Sequence, residues 1–449
     1  MKNLTIQNVL RACGGQWMGE QSALGVELTA VTTDSRTVTL GCLFAAIPGE
    51  RVDGHDFIAS SLAKGAVCAL GQRAPEGVDG NLILVPDTVA ALQKIAAFYR
   101  AQFDIPVIGV TGSVGKTTAK EMVAAVLSQR FRVHKTSGNF NNDLGVPITL
   151  FGMNETHEAA VVEMGVSHPG DMTRLAETVR PTIALFTVIG HAHLEFLKSR
   201  EGILAEKSVV NRYLPDDGTV ICNGDDDLLV AMQCRQKTLR FGMGADCDVR
   251  AENVRLLPDG STACTVVYGR RRVELTVPAY GEHMVYAALE GAAAGFVLGL
   301  SDEEIVSGVA AYEPVGRRAR RIENGKRTII DDCYNANPTS VATALRALSR
   351  GGGRKVCILG DMLELGKDAA ALHFETGKLA RDLGIDLVLT AGALAEEIAR
   401  GASQPEHSFA GREALIAALP ALIEPGDTVL VKASHSMRFE EITAVLETL

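Results

Sequence analysis

Cysteine is scarce in this chain and follows no pattern. Nine cysteines are scattered over 449 residues, and no two of them are spaced as C-x-x-C. A disulfide framework or a zinc ribbon would need paired cysteines at regular spacings. The odd number and the scatter therefore indicate a protein of a reducing compartment.

Long apolar segments are also missing. No stretch of about 18 uncharged apolar residues occurs, and the opening MKNLTIQNVLRACGG contains no apolar signal core. We therefore expect a cytoplasmic protein with no membrane partner.

The chain has no excess of positive charge. The formal net charge of −10 argues against a nucleic acid partner held through its phosphates. Two arginine clusters interrupt the acidity, and we interpret the first, Arg270–Arg272, as a solvated basic face; the second is Arg317–Arg321.

Two familiar catalytic or binding motifs are absent as well. No G-x-G-x-x-G opens a helix in the last third of the chain, so a dinucleotide site is not indicated. No Ser-His-Asp or Cys-His arrangement is recognisable. Any chemistry is therefore expected to depend on positioning and electrostatics rather than on a covalent intermediate with the protein.

What the chain does contain is the composition of a soluble globular protein, with 47% hydrophobic and 22% charged residues. The length predicts about three domains. Boundaries are indicated where Asp104–Pro106 interrupts a helical stretch, and near the segment YEPVGRR (Tyr312–Arg318). We predict an N-terminal domain over 1–103, a central domain over 104–313 and a C-terminal domain over 314–449.

Apolar strands alternate with amphipathic helices in the second and third of these blocks. The central block contains the strand-like runs PVIGV, AAVVEM, IALFTVI and TVICN, and the last block contains RTIIDD, KVCILG, DLVLT and TVLVKAS. Such alternation is typical of parallel sheets covered by helices. The predicted fold is α/β, with a mostly parallel central sheet of the P-loop ATPase type and a Rossmann-like C-terminal domain.

The stretch GVTGSVGKTT (Gly109–Thr118) is a phosphate-binding loop that departs from the common pattern. The strict form G-x-x-x-x-G-K-[ST] needs glycine at position 110, where this chain has Val110. Lys116 and Thr117 are retained, and such a Lys reaches the β- and γ-phosphates while the hydroxyl binds Mg²⁺. Because a strand precedes the loop and a helix follows it, we predict a nucleoside triphosphate site.

Further polar stretches follow other predicted strands of the central block. Glu163 ends one strand, His191 and His193 follow another, and SGNFNNDLGVP (Ser137–Pro147) is an Asn-rich loop. Each alone has a structural explanation, such as a helix cap, a surface histidine or a turn. Open α/β sheets place their sites at this edge, so the joint placement favours function.

The chain resembles the Mur ligase family, whose phosphate loop reads T-G-x-x-G-K-[TS]-[TS]; Thr111–Thr118 matches it with Val110 included. The resemblance covers all three blocks. It also rests on GNFNNDLGVP, DDCYNANP, LGDMLELG, VLVKASHSM and the N-terminal DSRTVTLGCLFAAIPGERVDGHDFI. Within the family these motifs are similar to the branch that builds peptidoglycan precursors by joining D-alanyl-D-alanine to a UDP-muramoyl tripeptide. The resemblance implies an ATP- and Mg²⁺-dependent amide ligase with these small-molecule substrates, and we expect a monomer.

The resemblance also implies roles for individual residues. Catalysis is assigned to Lys116, His193 and Lys207. Mg²⁺ ligands are Thr117, Glu163, His193 and Lys207, the last as a carbamate. ATP contacts are Thr111, Gly112, Ser113, Val114, Gly115, Lys116, Thr117, Thr118, Asn223, Arg317, Asp332 and Tyr334, with Arg318 as an alternative to Arg317. Contacts to the muramoyl substrate are Ser35, Arg36, Asp53, Gly54, His55, Asn139, Asn141 and Asn142.

Two family motifs are altered here. The family's H-x-x-x-N reads HMVYA, with Ala287 in place of Asn, and the late KGSRSM reads KASHSM, with Ala433 and His435. Two other functions stay open at this point: a ligase that adds a single amino acid, and a P-loop ATPase that changes shape for a protein partner. The third residue of the tripeptide, lysine or diaminopimelate, is also left open.

Overall fold

The computed structural model describes residues 1–49, 51–77 and 80–449. Its first part is a sheet in the order β1-β5-β4-β3-β2, with only β1 antiparallel among the described strands. The strands are β1 (Gln16–Met18), β2 (Val31–Thr32), β3 (Leu43–Ala45), β4 (Cys68–Gly71) and β5 (Leu82–Leu84). The helices are α1 (Ile6–Cys13), α2 (Ile58–Ala63) and α3 (Thr88–Arg100).

Helix α3 connects this first sheet to the central domain through hydrogen bonds. The Tyr99 hydroxyl donates a 2.7 Å hydrogen bond to the carbonyl of Met153, and Arg100 Nε donates to the carbonyl of Val179 at 3.1 Å. Buried apolar side chains form one continuous cluster from Leu4 to residues of the central sheet. The first two parts of the molecule therefore share a hydrophobic core.

The central sheet has the strand order β14-β13-β12-β11-β10-β9-β6-β8-β7. Its strands are β6 (Val107–Thr111), β7 (Val133–Lys135), β8 (Ala159–Glu163), β9 (Ile183–Phe186), β10 (Thr219–Asn223), β11 (Lys237–Gly242), β12 (Val249–Leu256), β13 (Thr262–Tyr268) and β14 (Arg271–Val277). Its helices are α4 (Lys116–Leu127), α5 (Gly145–Phe151), α6 (Asp171–Val179), α7 (Leu194–Leu197), α8 (Arg200–Lys207), α9 (Asp227–Ala231), α10 (His283–Val297) and α11 (Asp302–Ala310).

Strands β6 to β12 are paired in parallel, whereas β12, β13 and β14 form an antiparallel extension. The sequence analysis did not predict this extension. Arg271, from the cluster that we interpreted as solvated, lies here with its guanidinium 4.4 Å from the ring of Phe296 and paired with Asp302. One arginine of that cluster is therefore packed against the sheet rather than simply exposed.

The last part is a sheet in the order β15-β16-β20-β17-β18-β19, parallel except for the edge strand β15. Its strands are β15 (Arg320–Glu323), β16 (Thr328–Asp331), β17 (Lys355–Gly360), β18 (Leu387–Ala391), β19 (Ser408–Phe409) and β20 (Thr428–Lys432). Its helices are α12 (Pro338–Ser349), α13 (Ala369–Asp382), α14 (Ala395–Gly401), α15 (Arg412–Leu422) and α16 (Glu440–Thr448).

The predicted fold class is confirmed: each sheet is mostly parallel and is covered by helices. The connections at 103/104 and 313/314, which we predicted as domain boundaries, lie between the three sheets of the described chain. Among the residues that the structure describes, no helix has the length and apolar character needed to cross a membrane.

Candidate active site

The phosphate loop joins β6 to α4 and depends on two glycines. Gly112 has φ +145°, and a Cβ atom there would lie 1.9 Å from Thr187 Oγ1. Gly115 has φ +86° and is the N-cap of α4, which begins at Lys116. L-residues with side chains rarely adopt these conformations. The loop therefore orients its backbone N–H groups and the N-terminus of α4 toward one point, as phosphate binding requires.

Lys116 lies half-buried above this loop, and its Nζ donates a 2.9 Å hydrogen bond to the carbonyl of Gly112. Burial lowers its pKa from the ordinary lysine value, while the nearby Glu163 carboxylate opposes that shift. A bound triphosphate would supply the negative charge that favours the ammonium form. The side chain is thus held close to where phosphate oxygens would lie.

Glu163 connects the phosphate loop to the Asn-rich loop. Its carboxylate accepts 2.9 Å from the Thr117 hydroxyl and 2.7 Å from Asn141 Nδ2, and the side chain is almost fully buried. Its backbone N–H donates to Thr136 Oγ1 at 2.9 Å, which fixes the end of β8. A carboxylate facing a loop hydroxyl is the pair of oxygen ligands that Mg²⁺ takes up together with nucleotide phosphates.

His193 stands on the same side but makes a different contact. It has φ +59°, and its Nδ1 lies 2.5 Å from Oε2 of Glu364, a residue of the C-terminal domain. The bond to the imidazole holds the pKa of Glu364 below its usual range. In the described residues no group of His, Cys, Asp or Glu side chains is arranged to hold a metal ion by itself. A cation at this site would therefore need the Thr117 hydroxyl and phosphate oxygens.

Lys207 is buried at the end of α8, with 1% of its surface exposed. Its Nζ has no hydrogen-bond partner within the described chain. Burial, reinforced by the charge of Lys116, pushes its pKa well below that of an ordinary lysine. Burial therefore favours the neutral amine, which is the form that reacts with CO₂.

A cavity of about 840 Å³ lies between the central and C-terminal domains. The sequence-predicted residues on its wall are Ser113, Val114, Gly115, Lys116, Thr117, Thr118, Asn139, Asn141, Asn142, Glu163, His193, Asn223, Asp332 and Tyr334. Thr111 and Gly112 are instead buried behind the loop. Asn142 serves partly as a cap, since its Oδ1 accepts from the Gly145 N–H at 2.8 Å.

The C-terminal wall distinguishes Arg317 from its alternative, Arg318. Arg317 does not border the cavity, because its Nη1 is bonded at 2.7 Å to the fully buried carboxylate of Asp331. Arg318 borders it instead, with its guanidinium carbon 3.9 Å from the centre of the Tyr334 ring. Asp332 is held by Lys432, whose Nζ donates to its carboxylate at 2.6 Å. Of the two alternatives, Arg318 is the arginine that lines the cavity, and its contact with ATP stays a prediction.

The predicted N-terminal residues, Ser35, Arg36, Asp53, Gly54 and His55, do not border this cavity. His55 is 2% exposed, with Nδ1 2.6 Å from Asp53 Oδ1 and Nε2 accepting from the Gln72 N–H at 2.8 Å. Both ring nitrogens of His55 are therefore engaged within the N-terminal domain. The assignment of these residues to the muramoyl substrate stays a prediction. Asp53 also accepts from Arg73 at 2.6 Å, and these bonds hold its pKa below the ordinary range.

Some residues at or beside the cavity were not predicted. Glu364, which bonds to His193, belongs to LGDMLELG, a motif that supported the family resemblance without a role for this residue. Thr339, at the start of α12, accepts from the His191 N–H at 3.2 Å and so joins the two domains beside the cavity. Tyr286 and Glu290 of α10 also border the cavity, and periodicity could have placed them on the face of His283.

Comparison with known proteins agrees with this geometry. Family models described as "Mur ligase family, catalytic domain", "Mur ligase middle domain" and "Mur ligase, glutamate ligase domain" match residues 27–100, 110–295 and 317–435. The UDP-N-acetylmuramoyl-tripeptide–D-alanyl-D-alanine ligase of Bacillus subtilis is 37% identical over 98% of this chain and 97% of its own length. The chain belongs to the Mur ligase family.

Solved structures place this Mur ligase among similar folds. MurF from Acinetobacter baumannii superposes with a TM-score of 0.92 at 32% identity, covering 99% of each chain. The MurF ligase of Thermotoga maritima in complex with ADP gives a TM-score of 0.85 at 28% identity, covering 93% of this chain and 97% of that one. The family resemblance drawn from the sequence motifs is thus confirmed.

Proposed function

We propose that this Mur ligase joins D-alanyl-D-alanine to a UDP-N-acetylmuramoyl tripeptide, using ATP and Mg²⁺, during synthesis of peptidoglycan precursors. The activity stated in the names of its relatives supports this function. The observation that carries it is the contact of the Glu163 carboxylate with both Thr117 and Asn141. This contact joins the phosphate loop to the loop assigned to the muramoyl substrate.

The reaction follows from the poor leaving group of a carboxylate. An oxygen of the terminal tripeptide carboxylate attacks the γ-phosphorus of ATP, the bond to the β-phosphate oxygen breaks, and ADP leaves. The product is an acyl phosphate, which the dipeptide amine attacks at the acyl carbon. Inorganic phosphate leaves, the nitrogen loses a proton, and an amide bond remains.

The chain's own residues act mainly by charge and position in this scheme. The amides at the start of α4 and the ammonium of Lys116 stabilise negative charge on the phosphoryl group in transfer. Arg318 lies on the opposite wall, where its guanidinium would face the nucleotide from the C-terminal domain. Enclosure between two domains keeps water from hydrolysing the acyl phosphate.

Thr117 and Glu163 are the residues that would hold Mg²⁺, and His193 would join them if its contact with Glu364 opened. Mg²⁺ would neutralise charge on the phosphate oxygens. The fit rests on the buried carboxylate facing the loop hydroxyl, which is an oxygen-rich and geometrically fixed donor pair.

We further propose that Lys207 works as a carbamate. Its neutral amine would attack CO₂ and lose one proton, leaving an anion with two oxygens in place of a buried amine without a partner. Such oxygens suit a second Mg²⁺ or could orient the first. The burial of this amine beside Lys116 is what supports the assignment.

The muramoyl substrate is proposed to bind across the N-terminal domain and the Asn-rich loop. Asn139 is exposed at the cavity, and Asn141 is held by Glu163. Arg36 is highly exposed, although it is paired with Asp34 at 2.7 Å. Its guanidinium is suited to the diphosphate of the nucleotide sugar, as arginine generally is for phosphate groups. We also place the enzyme in the cytoplasm, as a monomer with no nucleic acid or membrane partner.

Phosphate release from ATP tests this function. It should require the UDP-muramoyl tripeptide and D-alanyl-D-alanine together, with little release when either is omitted. Turnover with a free amino acid in place of the dipeptide would instead indicate a single-amino-acid ligase. Release without any muramoyl peptide would indicate a P-loop ATPase of another kind.

A further inference from the structure

Helix α10 places an acidic side chain in the wall of the cavity. Glu290 is 4% exposed and borders the cavity, while its neighbours Leu289, Gly291 and Ala292 are buried in the core. The helix lies tightly on α4, since a Cβ atom at Gly291 would come within 3.0 Å of Met122 Cγ. Glu290 is therefore fixed beside the helix that begins at the phosphate loop.

The carboxyl group of Glu290 is without a partner in the described chain. Burial is the only influence on its acidity, with no hydrogen bond or charge opposing it, and raises its pKa well above the usual range. Burial therefore favours the protonated form of the carboxyl group. A protonated carboxyl offers one donor and one acceptor side by side. A buried polar group left unpaired is costly, so its position indicates a ligand.

Glu290 lies close to a position of α10 at which this chain departs from the family motif. Ala287, which stands where the family motif has Asn, lies one turn earlier and borders the same cavity. Residues three apart on a helix lie on one face. The amide expected at 287 is thus missing, and a carboxyl group stands next to its place.

Two neighbouring polar side chains at this part of the cavity, Tyr286 and Asp225, are already engaged. The Tyr286 hydroxyl donates to Asp225 at 2.9 Å, and the Asp225 N–H donates to Asn223 Oδ1 at 2.9 Å. Glu290 remains as a carboxyl group free to meet a ligand. Since Ser113–Thr118 would hold the phosphates, the α10 wall lies where the remainder of a nucleotide could extend.

Adenine presents a matching pair of groups. Its 6-amino group is a donor, and the adjoining ring nitrogen is an acceptor. We propose that Glu290 recognises the adenine base of ATP by accepting from the 6-amino group and donating to the adjoining ring nitrogen. This inference rests on the proposed use of ATP, and it makes Glu290 a specificity-determining residue of this chain.

Titration of the full-length protein with two nucleotides tests the proposal directly. The ligands are ADP and purine riboside diphosphate, which lacks only the 6-amino group. The wild type should bind ADP about tenfold more tightly than the analogue, a difference of about 1.4 kcal/mol. Glu290→Ala should bind both alike, with ADP weakened about tenfold. Equal preference for ADP in the wild type and in Glu290→Ala would overturn the proposal.

Two further variants keep the test decisive. Glu290→Gln retains one donor and one acceptor and should keep both the affinity for ADP and the preference over the analogue; a loss as large as in Glu290→Ala would contradict the proposal. Lys116→Ala should weaken both nucleotides by the same factor, because it acts on the phosphates. ADP binding needs neither peptide substrate. The nucleotide preference can therefore be measured even if the proposed ligase reaction is not observed.

Discussion

Replacing Glu163 by Gln tests the proposed Mg²⁺ site with little change of shape. The wild-type carboxylate accepts hydrogen bonds from Thr117 and Asn141. In the variant, the Thr117 hydroxyl can rotate to accept from the new amide, and the Asn141 amide can turn. The free energy of unfolding should therefore fall by only about 1 kcal/mol.

The effect on Mg²⁺ should be much larger. Substitution of groups that only orient a metal ligand typically weakens metal binding by about 10- to 100-fold. Loss of the ligand's own charge should cost at least the upper end of this range, about 2.7 kcal/mol. At a fixed, moderate Mg²⁺ concentration, ligase activity should fall by about 100-fold or more, and the half-saturating Mg²⁺ concentration should rise by a similar factor.

The assay is phosphate release at a series of Mg²⁺ concentrations, with thermal unfolding as the check on folding. Asn141→Ala is the matched control, because it removes an orienting donor and leaves the carboxylate in place. Its half-saturating Mg²⁺ concentration should rise by about tenfold. If Glu163→Gln kept wild-type Mg²⁺ dependence while folding normally, Glu163 would not be a metal ligand.

The remaining predictions concern cationic side chains. Lys116→Ala should fold normally and keep less than about a tenth of the activity, a loss of at least 1.4 kcal/mol, whereas Lys378→Ala, an exposed change on α13, should keep full activity. Lys207→Ala should be nearly inactive and partly restored by acetate; Lys207→Arg should be inactive and not restored, and full activity there would exclude the carbamate. Arg318→Ala should raise the KM for ATP about tenfold. Arg317→Ala should instead lower the melting temperature with little change in KM, because Asp331 loses its buried partner; the opposite pattern would reverse our assignment.

The strands and the phosphate loop could be predicted because their signals are local. PVIGV before GVTGSVGKTT is an apolar run followed by glycines, and the structure places β6 and α4 there. The antiparallel extension was missed because the alternation of buried and exposed residues along VRAENVRL is interrupted in the middle of β12, where its pairing with β13 shifts register between Glu252 and Arg255. The pairing of β12 with β13 depends on tertiary packing rather than on the hydrophobic pattern of β12 itself.

Other features of the site depend on contacts that sequence spacing does not show. Arg317 and Arg318 are adjacent, and only the buried carboxylate of Asp331 decides which one turns away from the cavity. Lys207 has the appearance of a surface lysine on an amphipathic helix, yet it is almost completely buried. Glu364 meets His193 across 171 residues of chain. The residues that could take part in the reaction were therefore recognisable by type and motif. The orientation of their side chains depends on the fold and could not be predicted.

Packing also indicates which domain moves during the reaction. The N-terminal and central domains share one buried apolar cluster. The buried members of the C-terminal clusters, within the described residues, all lie in 329–446, and Tyr280 of the central domain packs against one of these clusters. Contacts across the cavity, such as Glu364 with His193 and Thr339 with His191, are polar. Breaking them in water costs little, because the groups are rehydrated on opening. Gly316, with φ +70°, lies in the connection to the C-terminal domain and can absorb the change of backbone angle. Opening to release ADP should therefore be a rotation of the C-terminal domain about residues 314–316, with the other two domains moving as one body.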